Sequence, residues 1–228
     1  MSKVEALAEV AKRIAACKQC QYQLGQNSVP GEGNPNAEIM FVGEAPGKKE
    51  NETGRPFVGA AGKFLNEMLN SIGLERSDVF IANAIKYQPP GNRDPLPEEI
   101  ALQLPFLKKQ IAIIRPKLIV FLGRHALAAL CPDEKRTISQ LHGQLIWQGQ
   151  LSATTRLGRV ARDSDISNQP SENNITKADS RKPTADSWPQ AFLPLYHPAA
   201  ALYNGGMRQT LLADFAKIPE YMDQISGS

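Results

Sequence analysis

Four short apolar runs, each followed by a turn and then a helical segment, narrow what this chain can fold into more than any other feature. They are AEIMFV (37–42), VFIANAI (79–85), KLIVFLG (117–123) and FLPLYHP (192–198). They read as continuous apolar runs, without the polar–apolar alternation of a strand that has one wet face. Strands buried on both faces belong to parallel sheets covered by helices on both sides. The segments between them supply the helices. GAAGKFLNEMLNSI (59–72) is amphipathic and closed by Gly73, Glu98 to Ile114 begins just after Pro97, and RHALAAL spans 124–130. A first helix is expected over 4–16 and a last one around 206–218. The expected fold is α/β: a three-layer α/β/α sandwich with a central four-stranded, mainly parallel sheet.

The 228 residues suit one domain spanning 1–228. At 42% hydrophobic and 21% charged, the chain is neither collagen-like nor wholly disordered. No apolar run reaches the roughly 18 to 20 residues of a membrane helix. Lys3, Glu5 and Glu9 interrupt the stretch where a signal peptide would be apolar, so no membrane partner and a cytoplasmic location are expected. Cys17, Cys20 and Cys131 are too few for a disulfide framework. A net charge of +3 permits a polyanionic partner without demanding one. From about 150 to 187 the chain is rich in Ser, Asn, Asp and Arg and poor in large aliphatics. That composition predicts a disordered insertion, a solvated tether rather than a phosphate-contacting arm.

In parallel sheets ligands sit at the carboxyl ends of the strands, and the chemistry-bearing residues cluster there. GEAPGKKE (43–50) puts Glu44 and Glu50 at one strand end, with Gly43 and Gly47 allowing close backbone approach. It lacks the spacing and the hydroxyl of a Walker loop, which argues against a nucleotide triphosphate site. Phe57, in GRPFVGAAG, is either a core plug or a stacking platform. Asn83 ends a strand and must find hydrogen bonds, either from a nucleobase edge or by tying down the next loop. Asn92 and Arg93 fall on the rim. His197 ends the last strand with Pro198 fixing the turn, whereas His125 and His142 fall in a helix and near a glycine turn.

Together, VGEAPGKKE, TGRPFVGAAGKFLNEML, FIANAIKYQPPGNRDPLPEEI, PFLKKQIAIIRPKLIVFLGRHA and LYHPAAAL resemble the uracil-DNA glycosylase superfamily, most closely its family 4. The resemblance covers residues 38–130 and 192–202. It implies a monofunctional glycosylase that hydrolyses the N-glycosidic bond of a flipped deoxyuridine in single- or double-stranded DNA, acting as a monomer in base-excision repair. Glu44 would serve water activation and cation stabilisation, with Asn92 as its partner, and His197 would hold uracil O2. Phe57 would stack on the base, Asn83 would bond its edge, and Glu50, Gly43 and Gly47 would line the pocket. Leu202 would wedge into the gap left by the base, or else be a buried helix cap. Lys48, Lys49, Arg55, Lys86, Arg93 and Arg208 would meet phosphates, or else be merely solvated.

The chain departs from the family at several points. Family 4 holds a [4Fe-4S] cluster on four cysteines, of which Cys17 and Cys20 match two. Tyr87 and Gln103 stand at the other two positions, and Cys131 ends a different helix. No cofactor and no metal ligand set is therefore expected, with Cys17 and Cys20 a remnant or a weak zinc site. Ala45 stands where other branches carry aspartate, and Tyr203 where arginine is common. The chain lacks the histidine-containing insertion of a covalent branch, so no covalent product is expected. The alternative function is a non-catalytic DNA-binding module on the same fold.

Overall fold

The computed structural model describes residues 1–22, 25–150 and 189–227. The strands are β1 (Glu32–Gly33), β2 (Ile39–Gly43), β3 (Phe80–Asn83), β4 (Leu118–Leu122), β5 (Ile146–Trp147) and β6 (Ala191–Leu195). The helices are α1 (Lys3–Ala16), α2 (Lys48–Thr53), α3 (Ala60–Ser71), α4 (Pro97–Ile114), α5 (Arg124–Leu130), α6 (Ile138–Leu141), α7 (Gly205–Phe215) and α8 (Ile218–Ser226). Local chemistry sets several of their ends. Ser2 Oγ accepts from Glu5 N while Ser2 N donates to the Glu5 carboxylate, closing a capping box on α1. Pro97 opens α4, and the Glu99 carboxylate accepts from Leu96 N just ahead of it.

The strands form one sheet in the order β1-β3-β2-β4-β6-β5. The inner four are parallel, with Met40 level with both Phe80 and Ile119, and Ile119 level with Phe192. Every residue of these four strands is buried, as their unbroken apolar character requires. Successive side chains point to opposite faces, so one run feeds two cores. Met40, Val42, Ile119, Phe121 and Phe192 pack under Leu107, Ile111 and Ile114 of α4 and Ala126 and Leu130 of α5. Ile39, Phe41, Val120 and Leu193 face Phe64, Leu65, Met68 and Leu69 of α3 with Leu211 and Phe215 of α7. A stacked ring pair lies in each layer, Phe121 on Phe192 and Phe41 on Phe215. Burying each such ring stabilises the fold by about 1.5–3 kcal/mol. The three-layer α/β/α sandwich follows.

The sheet has six strands where four were expected. The two extra ones pair antiparallel at the edges, β1 with β3 and β5 with β6, and are two residues long. A two-residue strand has no periodicity to read, and β1 lies inside GQNSVPGEGNPNA (25–37), whose glycines, prolines and asparagines favour loop. The final helix is two, because the chain turns at Ala216–Lys217 and restarts with Pro219 in the first turn of α8. The expected insertion over about 150–187 lies almost wholly outside the described residues. Among the described residues, no helix is long and apolar enough to cross a membrane.

Candidate active site

Because the four inner strands are parallel, their carboxyl ends meet along one edge of the sheet. Backbone bonds draw the loops there together: Ala84 N to Gly43 O, Ile85 N to Glu44 O, and Gly123 N to Leu195 O. A cavity of about 370 Å³ opens between them, lined by Glu44, Gly47, Glu50, Phe57, Asn83, Asn92 and His197 among others.

Asn83 ends β3 and is 1% exposed, and its side-chain oxygen has no hydrogen-bond partner in the protein. Native folds rarely leave a buried acceptor unmet, and here it borders a cavity, where a ligand can meet it. Gly43 makes the arrangement possible. A Cβ there would stand 2.4 Å from Asn83 Oδ1 and 2.5 Å from Phe57 Cζ, so any side chain would displace both.

Phe57 is held in the left-handed region at φ 50°, a conformation costing a bulky residue about 1–2 kcal/mol. Arg76 offsets that strain by donating to Pro56 O at 2.7 Å and Phe57 O at 3.1 Å, while also bonding Asn66 and Glu32. Burial alone would raise the Glu32 carboxyl, yet hydrogen bonds from Arg55 and Arg76 hold it below the ordinary carboxylate value. On the other side, Glu50 Oε1 accepts from Val58 N and Gly59 N at 2.9 and 2.8 Å. One oxygen of Glu50 thus anchors the Phe57 loop at the start of α3, a duty that its expected place in the pocket lining did not reveal.

The His197 ring lies 5.8 Å from the Phe57 ring. Its Nδ1 accepts from Ala199 N at 3.1 Å, which leaves the proton of the neutral imidazole on Nε2. Desolvation pushes its pKa down to about 4, with Glu50 opposing and His125 adding to the shift. His197 is therefore neutral, and a donor, across the physiological range.

Glu44 is half-buried, and burial raises its carboxyl above the ordinary value. Asp94 raises it further, while His125 and Arg124 lower it. Ligand atoms of Glu44, Asp94 and His125 all lie within 4.8 Å of one another. The adjoining Arg124 guanidinium disfavours a cation in that cluster. Sequence reading passed over Asp94, which follows the marked Arg93, and set His125 aside as a helix residue.

Asn92, expected as the partner of Glu44, is exposed at φ 55° on the rim, and Gln88 donates to its side-chain oxygen. Lys86 is not on the rim. It is fully buried beneath Asn83 and donates to Asn83 O and Gln110 Oε1, both at 2.8 Å. Arg55 pairs with Glu32, Arg93 with Glu99 and Arg208 with Glu67. Lys48 and Lys49 stand exposed at the start of α2. Leu202 and Tyr203 are exposed, 39% and 93%, at the end of the turn that carries Ala199, so Leu202 is not a buried cap.

The residues at the expected cluster positions do come together, but they do not suit a [4Fe-4S] cluster. Cys17 and Cys20 are joined in a disulfide. Tyr87 is fully buried beside Cys20 and donates to Ile14 O at 2.8 Å. Gln103 is buried too, accepting from Lys86 N and donating to Cys20 O. Two cysteines, here joined to each other, and two oxygen-bearing side chains with their hydrogen bonds met do not supply the four thiolates such a cluster takes. Cys131 belongs to the core layer beneath α5.

The fold and site define an α/β protein whose sheet edge carries a half-open pocket with an aromatic wall and several polar side chains around it. A family model for the uracil DNA glycosylase superfamily matches residues 30–221. A type-4 uracil-DNA glycosylase of Sulfurisphaera tokodaii is 41% identical, over 95% of this chain and 85% of the relative. One from Archaeoglobus fulgidus is 39% identical over 95% and 94%, and one from Thermotoga maritima 46% over 61% and 74%. The chain belongs to the uracil-DNA glycosylase superfamily, among its type-4 members, and is a hydrolase of the DNA glycosylase class.

Proposed function

We propose that this chain excises uracil from DNA, hydrolysing the N-glycosidic bond of a flipped deoxyuridine to give free uracil and an abasic site. The observation that carries the reading is the unmet, buried Asn83 oxygen at the cavity wall, beside the Phe57 ring and across from the His197 donor. Uracil offers N3–H to the Asn83 oxygen and O4 to its amide. Cytosine offers an acceptor and an amino group at those places, and both pairings fail. A base buried in a duplex must first be extruded, and the flipped ring then needs an aromatic face and edge contacts. Phe57 supplies the face, held rigid by Arg76 and Glu50.

Bond cleavage leaves an oxocarbenium-like sugar and a uracil anion. The Glu44 carboxylate stabilises the cation and takes part in directing water to it. His197 Nε2–H donates to uracil O2 as charge develops there, and a neutral donor serves without needing to be protonated by solvent. Lys48 and Lys49 meet backbone phosphates, and Leu202 fills the space left in the stack. No step requires a cofactor.

The test is single-turnover excision on uracil-containing single- and double-stranded oligonucleotides. Asn83→Ala is expected to lower the rate about 10²- to 10³-fold with DNA binding largely kept. Wild-type protein that bound such DNA without releasing uracil would instead be a binding module.

A further inference from the structure

We propose that Asp94 and His125 are positioning residues for Glu44, a pair of opposed influence that governs when its carboxylate is available to the reacting sugar. The inference rests on the reading of Glu44 as the acting carboxylate, and adds residues that the site's lining does not contain. Asp94 comes from the loop between the Pro90–Asn92 turn and α4, His125 from the first turn of α5. Two separate elements thus bring side chains to within 4.8 Å of the Glu44 carboxylate and of each other. His125 Nε2 lies 3.3 Å from Asp94 Oδ2. Arg124 Nε donates to His125 Nε2 at 2.8 Å, and its terminal nitrogen is 3.5 Å from Asp94 Oδ2.

The charged and titratable groups facing Glu44 are therefore His125 and Arg124 on α5 and Asp94 on the loop. Glu50, Arg93 and His197 border the same cavity from α2, the rim and the turn after β6. Arg93 is engaged by Glu99, and Glu50 by the start of α3. Glu44 serves as an anion. Its activity is present above its pKa and is lost as pH falls through it. His125 lowers the Glu44 carboxyl and Asp94 raises it, so removing the first moves that pKa up and removing the second moves it down.

The test is the acid limb of the pH–rate profile for uracil excision under single-turnover conditions. His125→Gln should move the limb to higher pH and Asp94→Asn to lower pH. Each shift should be about half a pH unit, reduced from the usual range because Asp94 is largely and His125 partly exposed to screening solvent. The double variant should return near the wild-type position. A merely structural role would lower rates or melting temperature without moving the limb in opposite directions. Asp94 is exposed enough that Asp94→Asn carries the test even if His125→Gln folds poorly. Limbs that stay in place, or shift in the same direction, overturn the proposal. Glu44→Gln separates the two ideas. If it keeps the limb, the reading of Glu44 falls and this inference with it. If it abolishes the limb while the other two variants leave the limb unmoved, only this inference falls.

Discussion

The Lys86 amine is enclosed beneath Asn83, with Asn83 O, Gln110 Oε1 and Pro30 O as its acceptors. Desolvation pushes its pKa down to about 7, against about 10.4 in an unfolded chain. Between those values the unfolded state holds a proton that the folded state lacks. Stability therefore rises as pH rises from about 7 to about 10, by at most about 1.4 kcal/mol per pH unit from this group. Lys86→Met should flatten that slope when urea midpoints are compared across the window. It should also cost about 1–3 kcal/mol, because buried acceptors lose their donor. An unchanged slope would mean that the three oxygens keep the ammonium charged. The position reads as a rim cation from its place after Asn83; only the chain turning inward, over Gln103 and Gln110 of α4, makes it a strut. Asn83 and His197 were legible as candidates, because a carboxamide or imidazole at a strand end is conspicuous, and Phe57 because it stands in a glycine-flanked loop just ahead of a helix. Asp94 and His125 were not, since their meaning depends on two loops approaching each other.

At the scale of elements, Arg76 links β1, the Phe57 loop and α3 through five hydrogen bonds. Arg55 shares its partner Glu32 but is 60% exposed, against 20% for Arg76. Arg55→Ala should therefore cost less than about 1 kcal/mol. Arg76→Ala should cost about 1–3 kcal/mol through the carbonyls it abandons, and should slow excision further by freeing Phe57. Thermal melts and single-turnover rates on the two variants check this; equal losses would assign the effect to Glu32 alone. The inner strands and α1, α3, α4 and α5 could be read to within three residues at every end, because their apolar spacing is what buries them. The edge strands β1 and β5 could not, since partners distant in sequence define them.

For the whole molecule, the wall where a cluster would sit is instead filled by side chains. Val10, Ile14, Cys20 and Tyr87 pack together with Phe106 and Ile113, tying α1 to α4. The purified protein should hold no stoichiometric iron by elemental analysis, and Cys17→Ser with Cys20→Ser should retain uracil excision. Iron and sulfide at four atoms each per chain would overturn the assignment. Tyr87→Phe should cost about 1 kcal/mol through the lost bond to Ile14 O.

By itself the sequence determined the layered α/β plan and which strand ends carry chemistry, since both follow from periodicity and from residue types that are costly to bury without purpose. Set beside the family it resembles, it also has Tyr87 and Gln103 where two cysteines would stand. Tertiary structure alone decided which of those groups face one cavity, where Lys86 points, and that Asp94 and His125 meet Glu44. Contacts between distant segments depend on the path of the backbone, and no local pattern encodes that path.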